Sequence, residues 1–100
     1  MLVHIVFWKI QATPDGRSQA DNARDLKQMF DAIRGAIPGM LTCEVGIDTS
    51  RTGESSDVVL YSEFESQAAL EAYNVHPRHQ EIVAFLKQVR TERRVVDYLK

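Results

Sequence analysis

Residues 2–10 read "LVHIVFWKI", and the reading of their two alternating sets decides the fold. Leu2, His4, Val6, Trp8 and Ile10 form one set and Val3, Ile5 and Phe7 the other; this period of two, rich in β-branched and aromatic residues, predicts a strand. A strand with one wet face would show one polar set. Neither set is polar here, so both sheet faces are expected to be covered. With 100 residues, 44% of them apolar, the chain suffices for one domain and is too short for two. Its own helices can therefore cover one face. The face with Val3, Ile5 and Phe7 is expected to stay bare in a single chain and to be covered by a second copy.

Outward from that strand, "TPDGRS" at 13–18 supplies Pro14 and Gly16 for a turn, and Ser18 with Asp21 makes a capping pair. Ala23, Leu26, Phe30, Ile33 and Ile37 then recur every three or four residues, which predicts a helix to about Ala36. Residues 40–48 alternate as a second strand. A polar loop, "TSRTGESS", leads to a third, "DVVLYSEF", at 57–64. Ser66 caps the short helix "QAALEAY". Pro77 restarts the helix, because a residue without an amide hydrogen fits the first turn, and His76 serves as its cap. Ile82, Val83, Leu86 and Val89 form the apolar stripe of that second piece, and "RRVVDYL" at 93–99 is the last strand. The order β-α-β-β-(α-α)-β is the split βαβ, ferredoxin-like arrangement: an α+β fold with a four-stranded antiparallel sheet carrying helices on one face.

Composition narrows the function. Twelve basic against fourteen acidic residues give a formal net charge of -2, without the basic excess of nucleic-acid binding. Arg90, Arg93 and Arg94 form the only basic cluster and read as a solvated strand edge. One cysteine, Cys43, makes no internal disulfide and reads as a small core residue; a cytoplasmic location is expected. The apolar start is too short to span a bilayer, so no membrane partner is expected. No phosphate loop, hydrolase elbow or dinucleotide fingerprint occurs, and no cofactor is assigned. His76 and His79 are three apart, as zinc ligands on a helix can be, but Pro77 spoils the spacing and no cysteine is near, so no metal is assigned. Asp48 and Asp57 beside the polar loop are an equally unspecific pair for a hard cation.

The elements "HIVFWK", "IPGM", "VVLYSEFES", "LEAYNVHPRHQ" and "VVDY", in this order and at these separations, resemble the stress-responsive α/β-barrel (Dabb) family across essentially the whole chain. The resemblance implies a homodimeric α+β barrel, in agreement with the two-sided first strand. It implies no single reaction. Within the family the chain is distantly similar to plant polyketide cyclases of the olivetolic acid type. By motif position, that similarity implies His79 as a general base, Tyr73 as a polarising hydroxyl and a matching histidine at His4. The "Y-x-x-H-P-x-H" element is a family trait and does not separate cyclases from other members.

A general base needs an imidazole or similar group and a pocket to hold its substrate. The candidate ligand-binding residues, between helices and sheet, are His4, Val6, Trp8, Leu26, Phe30, Leu60, His76, Ile82, Leu86 and Val95, beside the candidate catalytic pair Tyr73 and His79. Apolar walls with few polar groups suit a small hydrophobic or aromatic acid-like molecule. The alternatives are a cyclase-like or isomerase-type enzyme and a non-catalytic stress-response dimer. Bulk at Val83 is expected to shorten any tunnel for a long substrate.

Overall fold

The computed structural model describes residues 1–100. Its elements are β1 (Leu2–Ile10), α1 (Gln19–Ile33), β2 (Met40–Ile47), β3 (Val58–Phe64), α2 (Gln67–Asn74), α3 (Pro77–Val89) and β4 (Arg90–Leu99). The sheet is antiparallel throughout, in the order β2-β3-β1-β4, so the two-sided strand β1 is an inner one. This is the ferredoxin-like α+β arrangement. No helix is long and apolar enough to cross a membrane.

Register fixes which side chains share a face. Leu2, His4, Val6 and Trp8 stand opposite Phe64, Ser62, Leu60 and Val58 of β3, and all eight are buried under the helices. Leu26 and Phe30 of α1, Tyr73 of α2, and Ile82 and Leu86 of α3 close this core from the other side. Two buried polar side chains are paired inside the core: Ser62 Oγ donates to the His4 carbonyl at 2.8 Å, and Asn22 Nδ2 donates to the Gln11 carbonyl at 2.9 Å. Cys43 is a core residue, and burial pushes its thiol up to about 11, away from reactivity.

Two boundaries differ from the sequence expectation. Helix α1 stops at Ile33 and not near Ala36, because Arg34 leaves helical dihedrals and Gly35 takes a positive φ of 76°. Strand β4 starts at Arg90 and not at residue 93. Its pairing with β1 continues through Lys9↔Glu92 and, across a bulge, Ile10↔Arg90, so the chain passes from α3 straight into the sheet. The bare outer face also needs correction. Val3 is fully buried within one chain, flanked by Glu63 and Tyr98 on the neighbouring strands, and Ile5 is half-buried. Exposure on this face belongs to Phe7, Val96 and Tyr98, since edge strand β4 is exposed at all ten positions.

Candidate functional site

The joint between α2 and α3 organises the site. A helix that ends leaves carbonyls without intrahelical donors. At the end of α2, the Asn74 carbonyl receives two side chains from the first turn of α3, His79 Nδ1 at 3.2 Å and Gln80 Nε2 at 2.5 Å. A carbonyl only accepts, so His79 Nδ1 carries the hydrogen and Nε2 holds the lone pair. His76 serves the joint differently: as N-cap of α3 its Nδ1 accepts from the Arg78 amide at 3.1 Å, with Pro77 in the first turn. The same kink lays the Tyr73 and His79 rings together, their centroids 4.1 Å apart and their planes at 44°.

These two rings border a cavity of about 110 Å³ between sheet and helices. Val6, Trp8, Phe30 and Leu60 form its floor and back, with Trp8 stacked on Phe30 at 5.8 Å. Leu86 and Val83 close it from α3, and His4 enters from β1. His4 is fixed by Asp97 of β4, whose Oδ1 lies 2.5 Å from its Nδ1. Trp8 Nε1 is buried without a hydrogen-bond partner. The Tyr73 hydroxyl has no hydrogen bond to the chain either, and burial pushes its pKa up, so it remains a protonated donor. Burial pulls His79 below its ordinary 6.5, against the upward pull of the Asn74 bond, so its imidazole is neutral near pH 7.

The fold thus gathers His4, Val6, Trp8, Phe30, Leu60, Tyr73, His79 and Leu86 around one space. Four sequence candidates lie elsewhere. Leu26 and Ile82 are closed core residues at 0% and 2% exposure, because they sit deeper on their helices than the cavity reaches. His76 is occupied at the helix cap. Val95 is on the correct sheet face but 44% exposed, since no helix extends over this part of the edge strand.

Sequence reasoning missed Asn74, Lys87, Arg90 and Arg93 in the lining and Asp97 behind His4. The helical spacing 79, 83, 86/87, 90 carried the signal for Lys87 and Arg90. For Arg93 the signal was strand parity: it faces Trp8 across β1 and β4, on the helix side. A larger groove of about 480 Å³ opens by Phe7, Gly46, Val59 and Arg94 on the outer sheet face, away from this chemistry. Two of the three acids lining it serve the fold: Asp57 accepts the Ile10 amide at 2.7 Å, and Asp48 accepts the Arg51 amide at 2.8 Å.

The pattern of the stress responsive A/B barrel domain family, Dabb, matches residues 2–99. A dimeric protein of unknown function and ferredoxin-like fold from Bacteroides fragilis superimposes with a TM-score of 0.84 at 27% identity, covering 97% of this chain and 93% of that one. A Dabb family protein from Mesorhizobium loti gives 0.68 at 23% identity, over 99% and 95%. The hydroxynitrile lyase of Passiflora edulis gives 0.76 at 18% identity, over 97% and 90%, a likeness of fold alone. No functionally curated protein matches the chain.

Proposed function

The chain belongs to the stress responsive A/B barrel domain family, and from that premise we propose that it works as a homodimer binding a small hydrophobic or aromatic acid-like molecule in the cleft beside Tyr73 and His79. The observation that carries this reading is Trp8 Nε1–H, a buried donor in the cleft wall with no acceptor. Leaving such a donor unpaired costs roughly 1–3 kcal/mol, which an oxygen atom of a bound ligand removes. At about 110 Å³ the cleft is well below the roughly 300–1,000 Å³ of drug-sized sites, so a ligand places only a few of its atoms inside. Self-association is supported by the dimeric relative of the same fold and by the apolar outer face around Phe7 and Val96.

The orientation of His79 favours a second, catalytic reading. Nε2 of the neutral ring takes a proton from a carbon next to a carbonyl, and the C–H electrons pass into the carbonyl oxygen. Tyr73 O–H donates to that oxygen as charge develops. The two pKa directions suit these roles, a base that stays neutral and a phenol that keeps its proton.

Native mass spectrometry of the purified protein, with a denatured run alongside, tests the binding reading. A dimer carrying mass that denaturation releases is the expected result. A bare protein whose Trp8 indole signal moves with no small acid would overturn it. Once a substrate is in hand, His79→Ala is expected to abolish turnover with fold and dimer intact. If Tyr73 and His79 substitutions change stability alone, the chain is a non-catalytic stress-response protein.

A further inference from the structure

We infer that Lys87, Arg90 and Arg93 form an anion-recognition rim on this cleft, so that its ligand is held by a carboxylate group. This rests on the cleft being a binding site, and it makes Arg93 the specificity-determining residue. The lining contains these three cations and no aspartate or glutamate. None of the three is in an ion pair, although acids stand close by on β4: Glu92 lies 3.9 Å from Arg94 and Asp97 lies 2.5 Å from His4. Solvated surface cations are ordinary, and exposure alone would leave these unremarked. What separates them is the polar complement beneath. Trp8 Nε1–H is unpartnered and buried, and the Tyr73 hydroxyl is a donor without a partner. Two neutral donors inside and three cationic donors at the mouth ask for one group rich in acceptors, which a carboxylate is.

Placement agrees. Arg93 and Trp8 are cross-strand partners on the helix side of the sheet, so a carboxylate at the mouth lies between the guanidinium and the indole edge of the cleft. Arg93 also lowers the pKa of both Tyr73 and His79, which places its field across the site. The end of α3 opposes an anion with about half a negative charge. Three full positive charges outweigh it.

The test titrates the 100-residue chain with isosteric pairs, isobutyrate against isobutyramide and benzoate against benzamide, following the indole N–H of Trp8, its only tryptophan, by NMR. The carboxylates are expected to bind at least about tenfold more tightly than the amides, with the difference shrinking as salt is raised. Arg93→Gln, and the triple variant with Lys87→Gln and Arg90→Gln, should remove the preference, bringing carboxylate binding down to that of the matching amide in the same variant. All three positions are exposed, so the variants are expected to fold, and the amide spectrum reports it. Equal binding of acid and amide would overturn the rim and leave the cleft standing. Failure of all four probes to move Trp8 would overturn both.

Discussion

His79 Nδ1 donates to the carbonyl oxygen of Asn74 across 3.2 Å, so the joint between two helices sets the tautomer of the candidate base. Because burial is the leading cause of its lowered pKa, the His79 ring should titrate below 6.5 by NMR, with His4, Arg93 and His76 pushing the same way. The unfolded chain therefore binds the proton more readily than the folded one. Stability is full above about 6.5 and is lost as pH falls through the lower folded value. His79→Gln should flatten that part of the unfolding curve. A folded-state value above 6.5 would remove the premise of a neutral base.

Glu63 provides a second, more acidic transition. The Tyr61 hydroxyl at 2.7 Å, Lys100 Nζ at 3.0 Å and Thr42 Oγ1 at 3.0 Å hold its carboxyl down at about 2. Its contribution is present above the ordinary 4.5 and is lost as pH falls toward 2. Denaturant melts at pH 3 and pH 6 should therefore differ less in Glu63→Gln than in the native chain.

Gly39 and Gly35 both have positive φ, 81° and 76°, but only Gly39 lies against another element. A Cβ there would come within 2.6 Å of the Ala69 Cβ on α2, whereas one at Gly35 meets nothing. Gly35→Ala should cost about 1–2 kcal/mol from backbone strain alone. Gly39→Ala adds overpacking and should cost about 2–4 kcal/mol. Similar losses in chemical denaturation would mean that α2 yields to the intruding methyl.

Val83 is half-buried and closes the cleft from α3. Val83→Ala should admit longer ligands at a stability cost of about 1 kcal/mol, and Val83→Phe should exclude ligands the native cleft accepts. The readout is the range of chain lengths in a series of acids that move the Trp8 signal. An unchanged range in both variants would place the size limit elsewhere.

Phe7 is 38% exposed and Val96 53% exposed on the outer sheet face. If the proposed homodimer pairs through this face, Phe7→Lys combined with Val96→Glu should shift sedimentation from dimer to monomer, because charges there would have to be desolvated between two sheets. A dimer unchanged in the double variant would assign the interface to another surface.

Much of this architecture was legible in the chain. Alternation in residues 2–10, the Ser18 and Ser66 caps and the Pro77 restart are local signals, carried by dihedral preference and by period. They placed the strands and helices to within a few residues. The meeting of Tyr73 with His79 and His4 was legible as well, because the kink and the strand parity aim all three at one space. What the sequence alone determined ends there. That Val3 is covered within one chain, that Val95 lies beyond the helices and that Arg93 borders the cleft depend on which strand neighbours which. Strand pairing is set by long-range packing, and a residue on an edge strand takes its role from whatever the rest of the chain lays beside it.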